Sequence, residues 1–318
     1  MIKTISCVAL YLLMSLFDQT LAQKSDAVYR DARKKGAEAC VVVKVEDDKG
    51  TPVVGATVHV LMGMNFRTKS YFIDGVTDTN GTYIVKGKTT GNEIEIVVSK
   101  TGWYESVQKL CFSKMGEEHE VKDGKWQPWE AEVPMRIRRV VNPVRLICKH
   151  EFYTIPVVGK AIGFDMEKSD WTAPYGHGER SDFYVTLSWD GKPMYDTRQT
   201  ELAVSFQGDR DGYYEYSNVR GCAFGGAYAA DPRHHYEKSM TCSSKRIDGV
   251  PTYTGVRPGC SLVVRSRCRV DAEGHLVSAN YSTIRAVAVE GEPEGIATML
   301  IRYFYNPTPN DTNLEPAR

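Results

Sequence analysis

A regular alternation of short apolar runs and turn signals over Val41–Tyr104 constrains the fold more than any other feature of this chain. In the segment Val41–Val45, valines at every second position place an apolar face on one side, as in a half-buried strand. Asp48-Lys49-Gly50 and Asn80-Gly81 follow such runs, and these residue types accept turn conformations at little cost. The pattern predicts β-strands joined by tight turns.

The same pattern continues through the rest of the chain, with turn signals roughly every 8–15 residues, as in sandwiches and barrels. We therefore expect a mostly β protein with two domains. The predicted parts are a β-sandwich at residues 38–140, a linker at 141–156, a β-rich domain at 157–306 and a proline-broken tail at 307–318.

The N-terminus has the composition of a secretory signal. Lys3 precedes an apolar run over residues 5–17, and Thr20-Leu21-Ala22 ends on a small residue. The run is about 13 residues long, whereas a membrane span needs roughly 20, so a retained anchor is the weaker interpretation. We predict cleavage after Ala22, a flexible leader at 23–37, and a secreted or periplasmic protein with no membrane span after cleavage.

Charge excludes some partners. The chain has 40 basic and 40 acidic residues and a formal net charge of zero, with no basic run. Neither nucleic acid nor an anionic membrane surface is expected as a partner.

Seven cysteines follow the predicted signal, and an odd number leaves at least one thiol unpaired. Cys260 and Cys268 lie at the two ends of a predicted strand, too far apart for a disulfide. Cys222 and Cys242 bracket a loop and are the favoured pair. Free thiols throughout are the alternative.

Several motifs of the first half agree in order with a known family. They are Asp48 and Gly50, then Pro52 and Gly55-Ala56, then the hairpin Thr77–Tyr83, then Lys100–Tyr104. Over about a third of its length the chain resembles the carboxypeptidase regulatory-like domain. The resemblance implies a seven-stranded transthyretin-like β-sandwich, of a kind that usually serves as a non-catalytic module in secreted proteins.

The second half, with Gly163-Phe164-Asp165 and Asp170–Gly176, is similar to uncharacterised secreted bacterial proteins. That resemblance implies a source but no activity.

Aromatic residues are the most promising candidates for a binding site. Exposed rings can stack on sugars or contact a peptide, because a large apolar area adjoins polar edges. The alternative is that the rings fill the cores of two sandwiches. The candidate ligand-binding residues are Trp103, Tyr104, Trp126, Trp129, Trp171 and Tyr175.

Catalytic and metal signatures are weak. His234-His235 are adjacent and diverge on an extended chain, and Asp209–Gly212 lacks the further oxygen ligands of a calcium loop, so we predict no metal site and no cofactor. Asp165, Glu167 and Asp170 precede Trp171, and paired carboxylates beside an aromatic ring could hydrolyse a glycoside.

We therefore expect a non-enzymatic scaffold or binding module whose partner is a polysaccharide or another envelope protein. The alternative is a secreted hydrolase with a site over Asp165–His177, which requires Asp165, Asp170 and His177 to share a pocket.

Overall fold

The computed structural model describes residues 27–63, 70–112, 121–189, 198–247, 250–291 and 297–317. The predicted signal peptide and the start of the predicted leader lie outside these residues. About 58% of the described residues are strand and 3% are helix, which confirms the mostly β fold. One helix, α1, spans residues 27–35, where the sequence had predicted part of a flexible leader. Ala32 is buried against the adjoining core, which explains why this short segment is ordered.

Twenty-two strands lie within the described residues, numbered in chain order. They are β1 (Ala37–Glu46), β2 (Thr57–Met62), β3 (Tyr71–Val76), β4 (Thr82–Thr89), β5 (Glu93–Ser99), β6 (Trp103–Tyr104), β7 (Ser106–Cys111), β8 (Val121–Lys122), β9 (Lys125–Trp126), β10 (Ala131–Arg136), β11 (Arg138–Arg139), β12 (Ile147–Thr154), β13 (Ala161–Asp165), β14 (Asp170–Trp171), β15 (Phe183–Trp189), β16 (Arg198–Ser205), β17 (Gly212–Ser217), β18 (Ser239–Ile247), β19 (Val250–Thr254), β20 (Cys260–Val270), β21 (Leu276–Gly291) and β22 (Ala297–Asn306).

The chain divides into two compact units. Unit 1 comprises residues 1–140 together with 221–224, and unit 2 comprises residues 141–220 and 225–318. A boundary after Val140 coincides with the predicted end of the first domain.

Unit 1 is a sandwich of two sheets. In the first sheet β1 is central, paired antiparallel with β4 and parallel with β10, and the short strands β8 and β9 extend it. The second sheet has the order β3-β2-β5-β7. Val43 of β1, Val60 of β2 and Ile96 of β5 belong to one buried apolar cluster, so the two sheets share a core.

The predicted hairpin over Thr77–Tyr83 is instead a turn that joins the two sheets, because β3 pairs with β2 and β4 pairs with β1. This turn before β4 needs its glycine. Gly81 has a φ of 70°, and a Cβ atom there would lie 2.5 Å from the carbonyl oxygen of Val45. No other residue type meets both requirements, because a side chain would be strained and would also clash.

Unit 2 is a second sandwich. Its sheets have the orders β12-β22-β21-β20-β17 and β14-β13-β15-β16-β18-β19. Phe183 and Leu202 from one sheet share a buried cluster with Ile284 and Tyr303 from the other. A separate cluster containing Tyr214 and Leu314 buries residues of the five-stranded sheet that alternate with those facing the main core.

Two predicted boundaries are wrong. The predicted linker at 141–156 contains β12, which pairs with β22 along its whole length. Ile147 and Tyr153 of this strand pack against the main core, while charged and polar residues between them had hidden the alternation. The predicted tail at 307–318 is also part of the fold, because Leu314 and Glu315 are buried and the Glu315 carboxylate accepts the amides of Val141 and Asn142.

Within the part of the chain that the structure describes, no helix is long and apolar enough to cross a membrane.

Candidate functional site

Four charged side chains converge inside unit 2, and we call this group the Arg267 cluster: Asp165, Glu167, Asp182 and Arg267. The Arg267 guanidinium donates to Asp165 Oδ1 at 2.7 Å, to Glu167 Oε2 at 2.5 Å and to Asp182 Oδ2 at 2.8 Å. The Arg267 side chain is 5% exposed, and those of Asp165 and Asp182 are 1% or less. Because a buried charge is costly unless it is paired and hydrogen-bonded, these contacts stabilise one another.

A bulge in β20 makes the cluster possible. The register of β20 against β21 shifts after Ser266, and Arg267 has a left-handed backbone with a φ of 54°. In a regular strand, consecutive side chains point to opposite faces. Here Ser266 Oγ and Arg267 Nε both donate to Asp182 Oδ1, at 2.6 and 2.9 Å. The bulge therefore directs two neighbouring residues to one carboxylate.

Asp165 is also saturated by the backbone of its own region. Both carboxylate oxygens accept amide hydrogens at about 3 Å; the donors to Oδ1 are Glu167 and Lys168, and those to Oδ2 are Glu179 and Arg180. Burial alone would raise the pKa of Asp165, but these amides and Arg267 together hold that pKa below its ordinary value. Asp165 is therefore an ionised carboxylate with five donors and little remaining capacity to contact a ligand.

Asp182 lies deeper than Asp165. Burial raises the pKa of its carboxyl group, while the Arg267 charge and the hydrogen bonds from Arg267, Ser266 and the Met166 amide act in the opposite direction. Close by, the Tyr305 hydroxyl is buried without a hydrogen-bond partner among the described residues, and the Tyr305 ring centroid lies 5.2 Å from Arg267 Cζ. The cluster joins the two sheets, since Asp165 lies in β13 and Arg267 in β20.

The neighbouring loop, residues 172–178, is wrapped around a second aspartate. Asp170 Oδ1 accepts the Trp171 amide at 2.7 Å and Oδ2 accepts the His177 amide at 2.8 Å. A Cβ atom at Gly176 would lie 2.4 Å from the Trp171 carbonyl oxygen, and one at Gly178 would lie 2.8 Å from Asp165 Cβ. Both glycines are required because the backbone passes this close to its neighbours.

The structure brings together only part of the predicted hydrolase site. Asp165 and Asp170 are paired residues of β13 and β14, but their carboxylates are turned to amide groups of the chain. The imidazole of His177 lies at the surface, and only its backbone amide contacts Asp170. Glycoside hydrolysis needs carboxyl groups that can reach the substrate as acid and base or nucleophile. Hydrogen bonding of this kind fits a structural role.

Most of the predicted binding rings lie in the protein interior. Trp103, Tyr104, Trp126 and Trp171 are buried, as expected for rings that fill the cores. The Nε1 atoms of Trp126 and Trp171 donate to backbone carbonyls at 2.9 Å. Their rings and polar edges are thus occupied within the fold.

The remaining two rings are more accessible. Trp129 is partly buried and has Lys125 Nζ 4.6 Å from its ring centroid. Tyr175, at the tip of the 172–178 loop, is 37% exposed. Of the six candidates, Tyr175 is therefore the one best placed to contact a ligand.

The predicted disulfide between Cys222 and Cys242 is absent, because no cysteine in the described part of the chain forms a disulfide. Cys242 points from β18 into the apolar core of unit 2, where burial raises its pKa to about 12. Cys222 belongs to unit 1, with Sγ 3.9 Å from the Tyr104 carbonyl oxygen. The thiols of Cys222 and Cys242 therefore lie in different environments, one in each unit.

One cluster of possible metal ligands occurs among the described residues, and its spacing matches none of the metal motifs considered in the sequence. Asp271, Glu273 and His275 have ligand atoms within 4.8 Å of one another, all exposed. The Asp271 carboxylate accepts the amides of Glu273 and His275, so it caps the turn between β20 and β21. His234 and His235 are both exposed, as expected of a solvated loop.

Sequence reasoning also missed Arg267 and Asp182. The available signal was the segment Cys260–Val270, in which arginines interrupt an apolar strand. Arginine in a core-facing strand position implies a buried acidic partner, although it does not say which one.

Comparison with known proteins identifies no family for this chain. No family model and no curated protein matches the chain. Among solved structures it is similar to catechol 1,2-dioxygenase from Acinetobacter radioresistens, at 12% identity and a TM-score of 0.26, over 35% of this chain and 55% of that one. The chain thus spans about half the length of that enzyme.

Two further solved structures are β-rich neighbours. A shaft pilin, SpaA, from Lactobacillus rhamnosus GG has 8% identity and a TM-score of 0.22, over 59% of this chain and 94% of that one. A DUF3823 family protein from Parabacteroides merdae also has 8% identity and a TM-score of 0.22, over 84% and 98%. Likenesses this low agree with a β-rich fold and carry no argument about activity or family.

Proposed function

We propose that this protein is a non-enzymatic binding module of the cell exterior, with unit 1 as a carboxypeptidase regulatory-like scaffold. The family motifs at Asn80-Gly81 and at Lys100-Thr101-Gly102 support this assignment, although Trp103 replaces the tyrosine that is common in the family after Gly102. The three long strands of the first sheet, β1, β4 and β10, share one core with the four strands of the second sheet. Seven main strands in two sheets agree with a seven-stranded sandwich. Secretion rests on the N-terminal signal pattern.

The proposal rests on the hydrogen bonds of two carboxylates: that of Asp165 accepts four amides of the chain, and that of Asp170 accepts one amide on each oxygen. Carboxylates that hold a loop in place are poor acids, bases or nucleophiles, which argues against the hydrolase alternative. What they hold is a loop that presents Tyr175 to solvent on a fixed backbone. A pre-ordered aromatic ring binds with a smaller entropic cost than a mobile one.

The ligand class we favour is carbohydrate, because an exposed tyrosine ring offers an apolar face for a sugar and a hydroxyl at its edge. Affinity electrophoresis of the protein through gels containing soluble polysaccharides tests the proposal. At least one polysaccharide should retard the unaltered protein, and Tyr175→Ala should abolish that retardation. Tyr253→Ala, which removes an exposed tyrosine from β19, is the matched control and should leave it unchanged.

Two results would contradict the proposal. Release of reducing sugar from the same polysaccharides would favour the hydrolase. If no polysaccharide retards the protein and a purified envelope protein binds it in a way that depends on Tyr175, the ligand is a protein and not a carbohydrate.

A further inference from the structure

The ammonium group of Lys238 lies among three backbone carbonyl groups in unit 2. Lys238 immediately precedes β18, and its Nζ is 2.5 Å from the carbonyl oxygen of Gly208, 2.8 Å from that of Asp209 and 2.7 Å from that of Asp211. All three carbonyls belong to one turn, residues 208–211. Carbonyl oxygens that converge in this way repel each other unless a positive charge lies between them.

The number of donors on the Lys238 ammonium group equals the number of carbonyl oxygens around it. An ammonium has three N–H donors and no acceptor, and here each hydrogen has one carbonyl oxygen. Rings of backbone carbonyls bind monovalent cations in the same way, by replacing the oxygens of the hydration shell. The turn therefore has the ligand arrangement of a small carbonyl cage for a cation.

Other contacts hold the turn in shape without Lys238. The Asp211 amide donates to the Gly208 carbonyl at 3.1 Å, and Asp211 Oδ1 accepts the Cys268 amide at 2.9 Å. The remaining carbonyl of the turn, that of Arg210, accepts Arg265 Nε at 2.7 Å and points to a different partner. The three converging carbonyls are thus positioned by interactions that a change at Lys238 leaves in place.

The charge of the ligands selects the ion. Calcium takes six to eight oxygens, usually including carboxylates. This turn offers three neutral carbonyls, and Asp211 Oδ1 is already used by the Cys268 amide. Three neutral carbonyl ligands suit ammonium or a monovalent metal ion.

We propose that residues 208–211 form a binding site for a monovalent cation that Lys238 occupies from within the chain, so that removal of its side chain creates a site for free ammonium ion. The occupied cage fastens the start of the segment 208–238 to its end. It also explains why Asp209–Gly212 resembles a calcium loop and yet lacks the necessary ligands.

Thermal unfolding of the full chain tests the proposal with two variants. Lys238→Ala empties the cage, whereas Lys238→Met keeps an unbranched stem that blocks it and removes only the charge. In tetramethylammonium chloride both variants should unfold about 5 °C below the unaltered protein. In ammonium chloride at the same concentration, Lys238→Ala should recover at least half of that loss and Lys238→Met should recover none.

Three outcomes would overturn the proposal. They are an unchanged midpoint for Lys238→Ala in tetramethylammonium chloride, an equal loss for Lys238→Ala in the two salts, which would show that ammonium does not bind, and recovery in calcium chloride but not in ammonium chloride. If Lys238→Ala does not fold in tetramethylammonium chloride, refolding in each salt replaces the melting experiment. Folded protein should then appear only with ammonium, and failure in both salts would contradict the proposal.

Discussion

An aspartate organises backbone amides in both units, but over very different distances along the chain. In unit 1, exposed Asp78 Oδ1 accepts the amides of Asn80 and Thr82 at 2.9 and 2.8 Å, two and four residues away. In unit 2, buried Asp165 accepts four amides and also Arg267, which lies 102 residues away. The first arrangement closes a local turn in water, whereas the second joins two sheets in the interior. We therefore expect the same hydrogen bond to contribute more to stability in the interior, where solvent cannot replace it.

The largest expected effect is at the shared cation of unit 2. Arg267→Ala leaves the buried carboxylates of Asp165 and Asp182, and the more exposed one of Glu167, without their common partner. It should lower the free energy of unfolding by about 3–5 kcal/mol. Denaturant unfolding measures this change. Arg257→Ala is the matched control, because Arg257 pairs with Glu215 at the surface, and its effect on the free energy of unfolding should be much smaller than that of Arg267→Ala. An equal loss of unfolding free energy for Arg267→Ala and Arg257→Ala would mean that burial does not make the Arg267 ion pairs more stabilising than the surface pair.

Substitution at Asp165 should have the next largest effect and should also change the pH dependence. Asp165→Asn should cost about 2 kcal/mol at neutral pH, as for hydrogen bonds to a charged group. The pKa of Asp165 is lowered on folding. Its contribution is therefore complete above the pKa of the unfolded chain and is lost as pH falls through the lower pKa of the folded state. The difference between the variant and the unaltered protein, followed by denaturant titration from neutral pH downward, should shrink in acid. A difference that grows in acid would contradict this sign.

A smaller effect is expected where the loop passes Asp165. Gly178→Ala would place a methyl group 2.8 Å from Asp165 Cβ and 2.9 Å from the carbonyl oxygens of Asp170 and Trp171. Such crowding should lower the free energy of unfolding by about 1–3 kcal/mol. It should also weaken any ligand binding that depends on Tyr175. Unchanged unfolding, measured by thermal melting, would show that the loop can shift without loss.

The smallest effect is expected in the turn of unit 1. Asp78→Ala removes two exposed hydrogen bonds, for which water is an available substitute, and should cost about 1 kcal/mol. Asp47→Ala should behave in the same way, since Asp47 Oδ1 accepts the amides of Lys49 and Thr51 in an equivalent turn. Denaturant unfolding of both variants checks the prediction. A loss as large as that of Arg267→Ala would remove the contrast between the two units.

The same contrast explains which features the sequence could predict. The turns at Gly50 and Asn80-Gly81 follow from local residue preferences, and both glycines have a positive φ. Alternating valines predict β1 because period-two burial is a local property. A local pattern is enough to predict the fold class, the first strands and the turns.

Features that depend on contacts between distant parts of the chain could not be predicted from the sequence. Arg267 could have paired with any carboxylate, and only the fold shows that Asp165 and Asp182 meet it. The role of β12 depends on its pairing with β22, which lies far along the chain. Trp126 and Tyr175 are chemically similar, and composition does not distinguish a core ring from one at a loop tip.

The acidic residues around Asp165 stabilise unit 2 through their shared contacts with Arg267. A double-mutant cycle of Arg267→Met and Asp165→Asn, followed by denaturant unfolding at neutral pH, measures this dependence. We expect a coupling free energy of about 1–3 kcal/mol, with the double variant less destabilised than the sum of the two single ones. A coupling free energy near zero would show instead that the two groups contribute independently.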